Sequence, residues 1–173
     1  VKWDVKDSVF SILFDDKKNL LSLYWSFHPE DIDTTEDDLD DVTIRNVLVN
    51  DIYNDLGFTV HNKLLVLIEA QSTWSLNIAL RILLYLAETY KRYEEKYGWN
   101  LYGQEVVAIP KPELYVIYVG DESVPDSISF KDVYFPDEEC HLDLNIRVLK
   151  KGFQSGDIID QYIEFCRIQK EVV

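Results

Sequence analysis

Three oxygen-bearing side chains stand around the most apolar run of the sequence. The run Leu64–Ile68 ends in Glu69, and Gln71 follows two residues later. Asp55 stands in the stretch before it, across the turn-like triplet His61-Asn62-Lys63. A hairpin turning at Asn62 would place Asp55 directly opposite Glu69, with Cβ atoms roughly 4.5–5.5 Å apart. Gln71 would share the face of Glu69, because alternate residues of a strand point the same way.

Two facing carboxylates repel each other, and the repulsion grows at the end of an apolar strand, where the local dielectric is low. A divalent cation removes this conflict, because Mg²⁺ prefers carboxylate oxygens and water as ligands. Such an ion activates water and neutralises charge on a phosphate. The spacing therefore indicates a Mg²⁺ site at Asp55 and Glu69, suited to phosphodiester hydrolysis. One alternative is a Glu69 that is simply exposed at the sheet edge. A one-residue shift of the turn would also end the opposition of Asp55 and Glu69.

The elements that would position these residues follow from periodicity. Apolar residues at helical spacing predict two short helices within residues 6–27, followed by an acidic loop over 30–41. Strands are predicted at 43–50, on both sides of His61, and at 113–120 and 141–149. Helices are predicted at 75–97 and 156–168. The longer helix is expected to bury a face with Leu76, Leu80, Leu83, Ala87 and Tyr90, and its flank with Ile82, Leu86 and Tyr93 suggests packing between two layers.

Composition indicates one globular domain of mixed α/β (α+β) class over residues 1–173. The hydrophobic fraction is 47%, yet no run approaches the roughly 20 apolar residues of a membrane span, so we expect a soluble, cytoplasmic protein. The spacing of Cys140 and Cys166 fits neither a zinc site nor a disulfide framework. The net charge of -15 disfavours a basic nucleic-acid surface, although residues 30–41 alone hold eight of the acids.

Several longer segments resemble one known family. The segments "YNDLGFTV", "LLVLIEAQST" and "NIALRILLYLAETYKRY" are similar to the PD-(D/E)XK nuclease superfamily, in particular its recombination-promoting nuclease and putative transposase group. That group has Glu-x-Gln in place of Glu-x-Lys. The opening "KDSVFSILF" resembles its first-helix motif, and "PKPELYVIYVG" resembles a later strand. The resemblance extends over most of the chain, which stops before the further C-terminal helices of the family.

The resemblance implies a restriction-endonuclease-like core of helix, three strands, helix and strand, with Mg²⁺-dependent cleavage of DNA. Mn²⁺ or Ca²⁺ would be substitute ions. Asp55 and Glu69 would be metal ligands, Gln71 would occupy the place of the superfamily's lysine, and Asp7 would be a first-helix acid near the site. A neutral amide can hydrogen-bond the attacking water but cannot deprotonate it, so the rate should be lower. Many nucleases dimerise to cut both strands of DNA, so the resemblance is also compatible with a homodimer.

Other interpretations of the same residues stay open. Asp7 is equally suited to capping the first helix. Arg81 and Arg92 are spaced to contact phosphate, but Glu88 and Glu95 on the same helix favour internal ion pairs. Tyr85 is expected to be a packing residue, and His28, His61 and His141 are expected at the surface or in turns. Two rival functions also remain: a nuclease-fold module that no longer cleaves, and an acidic domain that binds a basic protein through residues 30–41.

Overall fold

The structure is a computed structural model that describes residues 3–44, 55–70, 73–152 and 157–171. It confirms the mixed α/β class. The elements in chain order are α1 (Trp3–Asp15), α2 (Lys17–Phe27), β1 (Leu39–Ile44), β2 (Asp55–Val60), β3 (Lys63–Ala70), α3 (Ile78–Tyr97), β4 (Lys111–Tyr118), β5 (Ser127–Ser129), α4 (Phe130–Tyr134), β6 (Asn145–Leu149) and α5 (Ile158–Glu171). Within the described ranges, no helix is long and apolar enough to cross a bilayer.

The strands form one mixed sheet of six strands in the order β1-β2-β3-β4-β6-β5. The first three strands are antiparallel neighbours, β4 lies parallel to β3, and β6 lies parallel to β4. A short antiparallel strand, β5, completes the far edge. The long helix α3 makes the crossover that parallel neighbours require. The predicted succession of helix, three strands, helix and strand is therefore present.

The alternation of the central strands divides the apolar residues into two cores. Leu65 and Leu67 belong to the core beneath α1, α2 and α5, whereas Leu64 and Val66 belong to the core beneath α3 and α4. A strand covered by helices on both faces has a continuous apolar sequence, because the side chains of neither face contact water. This burial explains why residues Leu64–Leu67 lack the alternation of a half-exposed strand.

Two helices end or begin as their sequences dictate. Asp16 is the N-cap of α2, where its carboxylate accepts a hydrogen bond of 2.9 Å from the backbone N–H of Lys18. Gly98 terminates α3 in the left-handed conformation, with φ of 65°, and its N–H donates to the Glu94 carbonyl. Asp7 lies inside α1, which begins at Trp3, so the backbone does not support the capping role considered for it.

The acidic stretch was wrongly predicted as a solvated loop throughout. The strand β1 begins inside it at Leu39, which is completely buried, and a short 3-10 turn spans Glu36–Asp38. Lys17 donates to the Leu39 carbonyl at 3.0 Å and so fixes the turn to α2. Leu39 is buried and the neighbouring Asp40 is exposed, as in a half-buried edge strand, a pattern that the high local charge concealed.

The buried face of α3 also differs from the prediction. Leu76, which precedes the helix, and Leu80 are 44% and 42% exposed. The residues that pack on the sheet are Ile78, Ala79, Ile82, Tyr85, Leu86, Thr89 and Tyr93. The prediction chose the face that carries most of the leucines. The face that is buried has an equally periodic set of apolar residues, so periodicity alone could not distinguish the two.

The turn between β2 and β3 is shorter than predicted. Val60 pairs with Lys63, so the loop contains only His61 and Asn62. His61 adopts φ of 52°, the conformation that two-residue hairpin loops require. The expectation of a turn role for His61 is confirmed, but the centre of the turn lies half a residue before Asn62. Every pairing in the hairpin is consequently shifted by one residue.

An acidic side chain ties the irregular edge strand to the end of α3. Asp41 lies in the left-handed region, with φ of 52°, at the register shift between Asp40 and Thr43. Its carboxylate pairs with Lys96 and accepts a 2.6 Å hydrogen bond from the Tyr97 hydroxyl. Burial opposes ionisation, but the bonds from Lys96 and Tyr97 prevail, and the pKa of Asp41 is lowered.

Asparagine at position 41 is expected to lower the free energy of unfolding at pH 7 by about 1 kcal/mol, since it removes charge-assisted bonds to a largely exposed lysine. Asparagine tolerates the left-handed conformation, so the backbone is unchanged. The lowered pKa makes this contribution complete above the unfolded value of about 4, and it disappears as the pH falls below that value. The unfolding free energies of wild type and Asp41→Asn, measured by urea titration, should therefore converge as the pH falls below about 4; a difference that stays constant from pH 7 to well below pH 4 would refute the assignment.

Candidate functional site

The four predicted site residues are described to different extents. Asp55 is described with its side chain, whereas Glu69 and Asp7 are described by their backbone alone. Asp55 is the first residue of β2 and is 1% exposed. Glu69 lies at the same end of the sheet, in β3, and Asp7 lies in α1. Gln71 lies outside the described residues. The structure thus brings the backbones of Asp55 and Glu69 together at one end of neighbouring strands.

The predicted pairing of Asp55 with Glu69 is wrong by one residue. In the hairpin register Asp55 lies opposite Ile68, and Leu56 lies opposite Leu67. The physical reason is the two-residue loop, which moves every partner by one position. Because such a shift exchanges the two faces of a strand, this register does not form the directly facing carboxylate pair on which the metal prediction was based.

The Asp55 carboxylate forms an ion pair with Arg81. The Arg81 Nη2 atom donates to Asp55 Oδ1, and the two side chains are 17% and 0% exposed. Arg81 is the fourth residue of α3, which crosses the sheet on the face that Asp55 occupies. The expectation of an internal ion pair for Arg81 is confirmed, although the partner comes from β2 and not from its own helix. A guanidinium is therefore the resident counter-charge of this carboxylate.

A tyrosine lies beside this ion pair. Tyr85, one turn after Arg81, is fully buried against Gly57, two residues after Asp55. A Cβ atom at position 57 would lie 2.7 Å from the Tyr85 hydroxyl oxygen. Burial is the largest influence on Tyr85 and raises its pKa, and the Asp55 charge acts in the same direction. Tyr85 is thus the neutral packing residue that the sequence suggested.

The Gly57→Ala variant is expected to lose about 1–3 kcal/mol of unfolding free energy, because the added methyl overlaps the Tyr85 hydroxyl. Removal of that oxygen in Tyr85→Phe leaves ring carbons at 3.4 and 3.5 Å, which is ordinary contact. The loss should therefore be smaller when Gly57→Ala is made in the Tyr85→Phe background. Urea unfolding of the two single variants and the double variant gives this coupling directly. Additive losses would contradict the predicted overlap.

A second polar cluster lies at the opposite end of the sheet, where β3 and β4 begin. The two ring nitrogens of His28 contact Glu113 at 2.6 Å and Glu30 at 3.2 Å. Asp31 accepts a 2.7 Å hydrogen bond from Lys63. The sequence-based assignment of His28 to a surface or turn role is incomplete, because its side chain is only 14% exposed. No local signal could have paired His28 with Glu113, which is 85 residues away.

Aromatic residues support this second cluster. Tyr24 donates to Asp31, stacks on His28, and accepts a 2.8 Å hydrogen bond from Lys63. The Tyr115 hydroxyl donates to Glu113 at 3.1 Å. Hydrogen bonds from Lys63 and then Tyr24 lower the pKa of Asp31. The cluster is consequently a hydrogen-bonded network that joins α2 and the residues after it to the starts of β3 and β4.

The two clusters are well separated. Along β3, the His28 cluster lies at Lys63, and Asp55 lies beside Ile68. The five-residue step from Lys63 to Ile68 spans roughly 17 Å of strand. The His28 cluster contacts α2, whereas Asp55 contacts α3 on the other face. In the described part of the chain, ligand-type atoms spaced for a shared metal ion occur on His28, Glu30 and Asp31, within 4.8 Å of one another. The amine of Lys63 beside Asp31 already supplies positive charge there.

Comparison of the chain with family models, with curated proteins and with solved structures found no match. The function must therefore be argued from the residues of the site and their surroundings.

Proposed function

We propose that this protein is a metal-dependent endodeoxyribonuclease that hydrolyses phosphodiester bonds in DNA. The observation that carries the proposal is the buried Asp55 carboxylate at the end of the antiparallel unit, beside the backbone of Glu69. Carboxylate oxygens are the ligands that Mg²⁺ and Mn²⁺ prefer. The predicted succession of elements around this position supports the same proposal.

The donor chemistry at this end of the sheet fits a hard divalent ion, on two conditions. The Asp55 carboxylate must be released from Arg81, with which it forms an ion pair. Glu69 must also share the face of Asp55, and the register gives that arrangement only if one strand gains a residue here, as in a β-bulge. Bulges are over-represented beside active sites, where they redirect side chains.

The protein residues then divide the work of the reaction. Asp55 and Glu69 would hold the cation, which supplies an activated water and offsets charge on the phosphate. The neutral amide of Gln71 would hydrogen-bond the water or a phosphate oxygen and orient it. Arg81, once released, would leave a positive side chain beside an otherwise acidic site. With a net charge of -15, the protein depends on such local positive charge to approach DNA.

Incubation of the purified protein with supercoiled plasmid tests this proposal. Wild type should convert the plasmid to nicked or linear form in Mg²⁺ or Mn²⁺, and a chelator should stop the reaction. The Asp55→Ala and Glu69→Ala variants should leave the plasmid intact. Equal background nicking by wild type and both variants would exclude catalysis at these residues.

One observation favours a second candidate function, a nuclease-fold module that binds a partner without cleavage. The Asp55–Arg81 pair compensates the buried carboxylate with no metal ion. A module of this kind should release no heat when Mg²⁺ is added in a calorimeter, whereas the nuclease should.

The acidic protein-interaction hypothesis is less well supported by the contacts of residues 30–41. Asp31 is bound to Lys63, Asp41 is bound to Lys96, and Asp38 accepts from the backbone N–H of Thr35 at 2.8 Å. These carboxylates stabilise the protein's own fold, which reduces the charge available to a basic partner.

A further inference from the structure

We propose that the exposed face of α3, together with the end of α4, binds an amphipathic helix of another protein that carries Lys or Arg beside its apolar side chains. The apolar part of this surface, here called the leucine stripe, consists of Leu76, Leu80, Leu84 and Phe135. The inference does not depend on the proposed function, because it concerns a surface that does not include Asp55 or Glu69.

The leucine stripe is exposed although its residues are large and apolar. The exposed fraction is 39% for Phe135, and it is 44%, 42% and 48% for the leucines in chain order. The leucines recur at every fourth residue, so they form one ridge about 12 Å long on α3. Phe135 adjoins this ridge, because the hydroxyl of Tyr134 accepts a 3.3 Å hydrogen bond from the backbone N–H of Leu80.

The shape of the leucine stripe favours a helix as its partner. The other face of α3 is already buried on the sheet, so the stripe is a second apolar face on the same helix. Contiguous exposed apolar residues of this kind mark interaction sites. Ridges formed by residues four apart pack into the grooves of a neighbouring helix. An amphipathic helix, which presents apolar residues at the same spacing, therefore fits this face.

Exposed acids border the leucine stripe. The segment 130–139 holds four acids and a single base. All four acids are exposed: Asp132, Asp137, Glu138 and Glu139. The backbone N–H of Glu138 donates to the Phe135 carbonyl at 3.2 Å, and this turn places the acidic run beside the stripe. Within the described ranges none of the four carboxylates forms an ion pair, so their charge is available to a partner.

The charge selects a basic partner over a second copy of this chain. In a two-fold dimer the same surface contributes from both subunits, so two acidic segments would meet at the interface. The net charge of -15 on each subunit would add to that repulsion. Lys or Arg beside the apolar face of the partner helix would instead meet these exposed carboxylates, which speeds association and excludes acidic helices.

Three fluorescent peptides of about 18 residues test the proposal by fluorescence anisotropy. The first carries leucine at helical spacing with lysine at the flanking positions, and the second has glutamate in place of each lysine. The third has the composition of the lysine peptide in scrambled order, without an apolar face. Wild type should bind the lysine peptide at least about tenfold more tightly than either of the others, because only this peptide matches both the stripe and its acidic border.

Substitutions in the leucine stripe locate the binding surface. Leu80→Gln and Leu84→Gln should each weaken binding of the lysine peptide about tenfold, which is the loss expected when one leucine no longer contributes its buried area. Ile12→Gln is the matched control, because Ile12 is 71% exposed but lies on α1, across the sheet. It should bind within about twofold of wild type. All three substitutions are at exposed positions, and coincident urea unfolding curves verify that the fold is retained.

A second pair of variants tests the acidic border. Glu138→Gln/Glu139→Gln should weaken binding of the lysine peptide about threefold at low salt, and this difference should disappear near 1 M salt, where the Debye length is about 3 Å. Glu94→Gln/Glu95→Gln removes the same charge from the far end of α3, about 20 Å from Leu80 along the axis. This control should bind within about twofold of wild type.

Each contrary outcome would overturn the proposal. Equal affinity of wild type and Leu80→Gln for the lysine peptide would exclude the leucine stripe as the binding surface. Equal affinity of wild type for the lysine and glutamate peptides would exclude charge recognition, and absence of binding would exclude a basic helix as the partner. A wild-type dimer in sedimentation that Leu80→Gln dissociates would show that a second copy covers the stripe.

Discussion

The Arg81→Ala variant is expected to lose about 3–5 kcal/mol of unfolding free energy in metal-free buffer, because it removes the guanidinium that compensates a buried carboxylate. The size of this loss follows from burial: the Asp55 side chain is 0% exposed and cannot recover its interaction with water. Urea denaturation at pH 7 measures the loss. Lys91→Ala, an exposed substitution on the same helix, should stay within about 0.5 kcal/mol of wild type.

A compensating variant shows whether the lost stability comes from the uncompensated charge. Replacement of both Arg81 and Asp55 by leucine should restore most of the stability, since apolar pairs often match buried ion pairs in stability. If Arg81→Ala is as stable as Lys91→Ala, the pair makes no net contribution. That result would contradict the account of Arg81 as the counter-charge of a buried Asp55.

The Asp55→Asn variant is expected to reduce Mg²⁺-dependent plasmid cleavage about 10³-fold. A bound cation supplies several kcal/mol of charge stabilisation, and each factor of ten corresponds to about 1.4 kcal/mol. Asparagine keeps the size of the side chain and an oxygen that accepts from Arg81, so the loss reports the carboxylate charge and not the packing. The rate of conversion of supercoiled plasmid, at matched protein concentration, gives the ratio.

Asp31→Asn is the matched control for this prediction. Asp31 is an acid with a basic partner, like Asp55, but it belongs to the His28 cluster at the other end of the sheet. Its substitution should leave cleavage within about twofold of wild type. If Asp31→Asn abolishes cleavage and Asp55→Asn does not, the reaction centre lies in the His28 cluster.

The hairpin shows which features of the structure local sequence patterns can predict. Two apolar stretches around a polar triplet were sufficient to predict both strands and to place the turn within half a residue of its centre. The register required the exact number of loop residues, which is set by the left-handed conformation of His61 and is not encoded in apolar periodicity. One residue of error was enough to replace Ile68 by Glu69 as the expected partner of Asp55.

Partners distant in sequence were beyond prediction for a related reason. Glu88 and Glu95 were plausible partners for Arg81 because they share its helix, but helix packing on the sheet brought Asp55 within reach instead. The His28–Glu113 pair likewise depends on where α2 ends relative to the start of β4. Such contacts follow from the packing of elements, which a local sequence pattern does not specify.

The most direct measurement is the binding of Mn²⁺, followed by the loss of the free-ion signal in electron paramagnetic resonance. Wild type should bind Mn²⁺, Asp31→Asn should bind it with the same affinity, and Asp55→Asn should lose that binding. If Asp55→Asn binds Mn²⁺ as well as wild type does, Asp55 is not a metal ligand and the proposed site is wrong.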